Sequence, residues 1–285
     1  MTKQPSTSKV LFIMGNGPSL KPIMYERLDD LRSFHTFGLN AAYRAYDELN
    51  FFPTYFGCFD FVVNKSHKEA FESLVLRKDA SIQKFFFIGN QRERQNMYAP
   101  TVRKHRKFHN FEFKMAAPRL SPSSKLIFNT GSSGANAAQL GILMGYKMIV
   151  LLGCDCNYVE MVDGVTGRPN SQKLSVEKPI DDNPNYWLQG YQQVGDQFNL
   201  PQGKTIQMNS WRALHDMCPR DVTIVNASSI SQIPFFPKVS LDSVLESTAL
   251  RRLPSVPIRF LQAPKERKKK STRPLVTRCG RRRVR

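Results

Sequence analysis

The sequence has no apolar run near the ~20 residues that a membrane-spanning helix needs. The apolar stretch after Lys9 covers only Val10 to Met14, too short for the apolar region of a signal peptide. There is no C-x-x-C pair, and the five cysteines (58, 154, 156, 218 and 279) are odd in number. That combination excludes a disulfide frame and a zinc ribbon and predicts a reduced, cytosolic chain. Cys154 and Cys156 form a C-x-C, which reads as buried thiols at the end of a strand. No D-x-D pair is present either. Histidine is scarce: His67 and His215 fall inside helical patterns, and His105 and His109 lie in a basic stretch where solvation is expected.

Acidic residues are what two segments lack. Residues 251–285 hold 14 Lys/Arg and one acid, Glu266, and residues 91–120 hold 8 Lys/Arg against Glu93 and Glu112. The rest of the chain is electroneutral, so the formal net charge of +19 belongs to those two pieces. The last segment, punctuated by Pro254, Pro257, Pro264 and Pro274, reads as a disordered tail. It carries no aromatic residue after Phe260, which argues against stacking on nucleic-acid bases. The tail suits an anionic membrane surface better than nucleic acid.

What is present is a body able to bury a large core, 41% hydrophobic and 11% aromatic. Short apolar runs alternate with helical patterns. Strands are expected at Lys9–Met14, Thr36–Leu39, Thr54–Phe59, Lys84–Ile88, Lys125–Phe128, Lys147–Leu152 and Val222–Val225. Helices are expected from Ser19 to about Arg32, over Asn40–Leu49, Ser66–Leu76, Ala135–Met144 and Lys204–Met217. This order predicts an α/β fold with a mostly parallel sheet. Residues 91–120 break the pattern and read as an excursion, a hairpin or lid whose charge would face an acidic substrate. Residues 157–203 are polar and read as a long lid loop. The expected division is a single domain over 1–248 and a basic tail over 249–285.

The chemistry gathers at strand ends. Gly15-Asn16-Gly17-Pro18-Ser19-Leu20 follows the first strand. It is neither a G-x-G-x-x-G fingerprint, since Leu20 stands where the last Gly belongs, nor a P-loop, since no G-K-[ST] follows. A turn of this kind can offer backbone N–H groups to an anion, and the Asn16 amide can both donate and accept. Thr130-Gly131-Ser132-Ser133-Gly134 opens a helix and could hold a carboxylate or phosphate, or cap the helix. Asn40, Asp60 and Asp155 each stand at or just past an expected strand end, where parallel sheets bind ligands.

These residues reach a family. With GNGPSL, Asn40, Ser132-Ser133-Gly134 and the strand ending Leu152-Gly153-Cys154-Asp155, the chain resembles the bacterial sialyltransferases of glycosyltransferase family 42, over roughly residues 8–245. The resemblance implies a single Rossmann-like domain with a lid. It also implies inverting transfer of a sugar from a nucleotide-sugar donor to a surface glycan or glycolipid, with no metal and no other cofactor. It assigns Gly15, Asn16, Gly17, Ser19, Asn40, Ser132, Ser133, Gly134, Tyr158 and Tyr186 to the donor, with Asp60 (or its neighbour Phe59) near a donor-binding position. Asp60 or Asp155 would take the acceptor proton. The family's lid histidine is Gln189 here, Thr130 replaces an arginine, and Tyr158 is displaced by one position. The expected setting is cytoplasmic, peripheral at the membrane and compatible with an oligomer. A more distant resemblance is to archaeal hydroxymethyl-dihydropterin pyrophosphokinases, where Asp60 and Asp155 would hold magnesium. The third reading is a non-enzymatic nucleotide- or nucleic-acid-binding module.

Overall fold

A computed structural model describes residues 10–88, 97–114, 126–128, 131–159, 162–167, 173–199 and 204–250. Side chains are described at all of these except 88, 110–114, 126, 204–206 and 249–250. Thr130, the tail beyond 250, and parts of the expected excursion and lid lie outside the described residues.

Eight strands form one sheet: β1 (Val10–Met14), β2 (His35–Leu39), β3 (Tyr55–Cys58), β4 (Lys84–Ile88), β5 (Phe108–Lys114), β6 (Leu126–Phe128), β7 (Met148–Leu152) and, near the end of the chain, β11 (Thr223–Asn226). Their order is β11-β7-β1-β2-β3-β4-β5-β6, and every pairing is parallel. The reason is legible in β1. All five of its residues are buried. Leu11 and Ile13 join one apolar cluster, while Val10, Phe12 and Met14 join another on the opposite face. A strand apolar on both faces has to be covered on both, as parallel strands are.

Helices supply that cover. On one face lie α6 (Ser133–Leu143) and α7 (Lys204–Met217), whose Leu140, Trp211 and Leu214 pack with Leu11, Phe37 and Phe86. On the other lie α1 (Lys21–Glu26), α2 (Leu28–Leu31) and α8 (Leu241–Leu250). There too α4 (Lys68–Leu76) sets Phe71, Leu74 and Val75 against Phe56, Phe85 and Phe87. This is the expected Rossmann-like α/β fold.

Several expectations change. The described part of the 91–120 stretch, residues 97–114, is built into the sheet: α5 (Pro100–Arg103) leads into β5, which pairs Phe108 with Phe85 of β4. The exposed Arg103, Lys104 and Arg106 stand where β5 begins, at the opposite edge from the strand ends where the sequence placed the chemistry, so they do not face a substrate there. His109 is half-buried and stacks on Phe86 with ring centres 5.4 Å apart, where solvation was expected. The expected loop 157–203 contains a three-stranded antiparallel sheet, β8 (Val165–Gly167), β9 (Lys173–Val176) and β10 (Gln197–Asn199), closed over Val165, Leu174 and Val176. The helix expected after Asn40 is a short 3₁₀ helix, Asn40–Ala45. α3 (Phe61–Ser66) precedes α4 with a break at His67, and α8 had no counterpart in the sequence reading. Among the described residues no helix is long and apolar enough to cross a membrane.

The chain runs outward from β1 to β6, then returns to place β7 on the other side of β1. At that reversal two glycine turns touch. Gly15 N donates to Leu152 O (2.7 Å) and Gly17 N to Gly153 O (2.8 Å). A Cβ on Gly15 would stand 2.3 Å from Gly153 O, and Gly153 itself has φ +64°. Gly15→Ala is therefore expected to cost about 2–3 kcal/mol of stability, the upper end for overpacking. Urea unfolding of the variant with a midpoint equal to wild type would show that the turns have room to part.

Candidate functional site

The reversal between β1 and β7 is where a parallel sheet opens a crevice at its carboxyl edge. Asn16, Asn40, Asp60 and Asp155 leave the ends of β1, β2, β3 and β7, so the structure brings all four to that edge. Their chemical states differ.

Asp155 is 3% exposed and spends both oxygens on one neighbour: Ser19 Oγ donates to Oδ1 (2.5 Å) and Ser19 N to Oδ2 (2.8 Å). Burial raises its carboxyl pKa, and the two bonds from Ser19 oppose that rise. A helix was expected to start at Ser19. The Ser19 hydroxyl serves Asp155, and the chain turns through a 3₁₀ segment, Pro18–Leu20, before α1. Four of the turn's amides are not open to an anion either. Gly15 N, Gly17 N, Ser19 N and Leu20 N are all committed within the protein. A Cβ on Gly17 would lie 2.4 Å from Asp155 Oδ2, so the second glycine is there to admit that carboxylate.

Asn16 is 8% exposed. Its Nδ2 donates to Leu39 O at the end of β2 (3.1 Å), and its Oδ1 is buried with no hydrogen-bond partner. The next strand end repeats the pattern. Asn40 holds φ at +55°, and its Oδ1 is also buried without a partner. Asp60 caps α3: its Oδ1 accepts from Val62 N (2.8 Å), Val63 N (3.1 Å) and Asn199 Nδ2 (2.9 Å). No hydrogen bond to Asp60 Oδ2 occurs among the described residues. Its neighbour Phe59 is buried and packs with Phe37.

Ser132, Ser133 and Gly134 follow β6, at the far edge of the sheet, yet α6 crosses back toward β1. A Cβ on Gly134 would meet Trp211 at 3.0 Å and Cys154 Sγ at 3.4 Å, which sets the start of α6 beside the end of β7. The Ser132 side chain makes no bond to cap that helix. Trp211 Nε1 also donates to Cys156 Sγ (3.1 Å), and burial pushes the Cys156 thiol up to about 12.

Over the crevice lies a row of tyrosines. Tyr158 meets Tyr186 edge-on at 6.3 Å, and Tyr186 stacks on Tyr191 at 4.0 Å. The Tyr191 hydroxyl accepts from Ala41 N (3.3 Å), beside Asn40. Burial, and then the Asp60 charge, raises the Tyr186 phenol, so it stays a hydroxyl donor across the neutral range. Gln189 is exposed and donates to Asp181 O (2.8 Å) on the outside of this segment. Tyr191, Arg44 and Asp196 were not singled out from the sequence. Residues 44 and 196 are too far apart in the chain for any local pattern to pair them.

Among the described residues no group of three or more His, Cys, Asp or Glu stands together as metal ligands. β1 and β2 separate β3 from β7, so Asp60 and Asp155 stand at strand ends about 14 Å apart at the usual strand spacing. With Asp155 committed to Ser19, the pair does not fit a shared magnesium ion.

A single Rossmann-like domain with a crevice at its strand reversal, roofed by tyrosines, is the class this geometry defines. No family model matches the chain, and no curated protein matches it. Solved structures do. The sialyltransferase CstII from Campylobacter jejuni, in complex with the substrate analogue CMP-3FNeuAc, is 15% identical over 81% of this chain and 85% of its own, with a TM-score of 0.45. The monofunctional alpha-2,3-sialyltransferase Cst-I from the same organism is 14% identical over 84% and 82%, with a TM-score of 0.45. The MAf glycosyltransferase from Magnetospirillum magneticum AMB-1 is 14% identical over 88% of this chain but 38% of its own, with a TM-score of 0.47.

One buried base near the tyrosine row titrates. Burial pushes the His67 imidazole down to about 4; the Asp196 charge opposes this and the Arg44 charge adds to it. Tyr43 OH shares a 3.0 Å hydrogen bond with Nδ1. The folded state thus keeps His67 neutral, while the unfolded chain protonates it near 6.5. Stability is full above pH 6.5 and falls as pH drops toward 4, by roughly 3 kcal/mol from this group. Denaturation of wild type and His67→Gln between pH 7 and pH 4 should show that much less pH dependence in the variant. Parallel profiles would remove His67 as the cause.

Proposed function

We propose that the chain is a sialyltransferase-like glycosyltransferase, inverting and metal-independent, that moves a sugar from a nucleotide-sugar donor to a glycan or glycolipid acceptor. The supporting observation is the pair of orphaned acceptors, Asn16 Oδ1 and Asn40 Oδ1, at neighbouring strand ends in the crevice. A buried polar atom without a partner costs about 1–3 kcal/mol, so two together await a ligand rich in O–H or N–H donors. The hydroxyls of a ribose and the amino group of a base have that chemistry.

The remaining roles follow from what each group has free. Asp60 is held still by three donors on Oδ1 and keeps Oδ2 for the acceptor hydroxyl, so it is the general base. As the acceptor oxygen bonds to the anomeric carbon, its proton passes to Asp60. The bond from that carbon to the nucleotide phosphate breaks, and its electron pair leaves with the phosphate. Tyr186, kept protonated, and Tyr158 donate to that phosphate as its charge grows. Ser132, Ser133 and Gly134, at the start of α6, face the donor sugar. Gly15, Gly17, Ser19 and Asp155 hold Asn16 in place. The basic tail attaches the enzyme to anionic lipid. No observation favours the pyrophosphokinase reading.

CMP is the first probe. Calorimetry should find binding that EDTA leaves unchanged, and Asn16→Ala and Asn40→Ala should each weaken it about tenfold. Asp60→Asn should keep CMP binding and lose transfer. CMP affinity equal to wild type in both asparagine variants would make the crevice structural. Transfer retained in Asp60→Asn would move the base elsewhere.

A further inference from the structure

The segment that carries the tyrosines is bonded to the body near Asn16, where Trp187 N donates to Asn16 O (3.1 Å), at both ends of α3, and along the 3₁₀ helix Asn40–Ala45, and the contact made by Arg44 on that helix is of a different kind. At the start of α3 Asn199 Nδ2 meets Asp60, and at its end Gln197 N donates to Ser66 Oγ (2.9 Å). Both are single hydrogen bonds. The contact from the 3₁₀ helix is an ion pair: Arg44 Nη1 and Nη2 grip Asp196 Oδ2 and Oδ1 at 2.6 and 2.9 Å. The two side chains are only 15% and 13% exposed. The same Arg44 Nη1 donates to Tyr191 O (2.6 Å), and Asp196 Oδ2 also accepts from Gln193 N (2.7 Å). One guanidinium thus fixes both ends of the turn between Tyr191 and Asp196. Tyr191 then carries Tyr186 on its face at 4.0 Å.

We infer that Arg44 and Asp196 are positioning residues, a fork-shaped latch that sets the Tyr191–Tyr186 stack over the crevice and so determines how tightly the nucleotide is held. Neither touches the ligand. Their effect passes through Tyr191, whose hydroxyl and main-chain carbonyl are both bonded to the stretch from Ala41 to Arg44. The inference rests on the crevice being a nucleotide site. The geometry also explains the choice of arginine: a lysine ammonium could meet the Asp196 carboxylate or Tyr191 O but could not reproduce the fork.

The test uses the full chain with two independent readouts, hydrogen exchange and CMP calorimetry. The proteins are wild type, Arg44→Ala, Arg44→Lys, Tyr186→Ala and the double variant Arg44→Ala/Tyr186→Ala. Arg44→Ala should raise exchange across 186–199 while β1 and β7 stay protected, and should weaken CMP about tenfold. Arg44→Lys, which keeps the charge and packs more conservatively, should recover little of either. In the Tyr186→Ala background the loss of Arg44 should cost no further affinity, because the latch acts through that ring. Unchanged exchange in 186–199 would overturn the latch, as would an affinity loss that adds in full to that of Tyr186→Ala. Loss of β1 and β7 protection in both arginine variants would overturn it too. If wild type binds no CMP, the nucleotide reading falls, while the exchange data still decide whether Arg44 holds the tyrosine segment.

Discussion

Two glycine backbones in contact, Gly15 on Gly153, set the geometry of everything at the carboxyl edge of the sheet. A Cβ on Gly15 would run into the Gly153 backbone, and one on Gly153 into the Leu20 side chain. With them absent, the turns bond to each other, Asp155 reaches under Gly17 to hold Ser19, and Asn16 is fixed with one amide face on β2 and the other empty. Four amides of the turn are committed within the protein, while the Asn16 and Asn40 side-chain oxygens have no partner. The turn binds itself, and the side chain it presents is what remains for a ligand.

This arrangement inverts the usual economy of a glycine-rich turn after a first strand. In such turns the amides point outward and receive an anion. Here the Gly15 and Gly17 amides point into the neighbouring turn, and the unpartnered polar atoms are carboxamide oxygens at two adjacent strand ends. The carboxylates divide in the same manner. Asp155 has no oxygen to spare, whereas Asp60 is clamped on one oxygen and open on the other. Two aspartates at equivalent strand ends therefore hold opposite stations, one in the frame and one facing the crevice.

Much of the fold was legible because the strands are apolar on both faces. Val10–Met14, Lys84–Ile88 and Met148–Leu152 need cover on each side, and only a parallel sheet between helices provides it. β5 was not legible, since basic residues crowd its entry and hide a strand that pairs with β4. The small sheet over 165–199 escaped for a different reason: its strands are three or four residues long and its core is three side chains. That Asn16, Asn40, Asp60 and Asp155 stand at strand ends was legible, because position alone marks it. What those residues do with their lone pairs was not, since it depends on bonds between Ser19 and Asp155, 136 positions apart, and between Arg44 and Asp196, 152 positions apart. Long-range partners leave no period and no spacing to read.

The three-stranded sheet has a core of its own and meets α3 through polar groups, with Phe198 reaching the core of the body. It is joined to the body by a seam. A seam of that kind can be re-cut: loops in the small sheet can lengthen, shorten or change their charge while the glycine contact, the asparagines and the clamped aspartate stay as they are. The fold thereby separates two evolutionary tasks. The strand-end frame of the crevice can stay fixed while the cover above it varies.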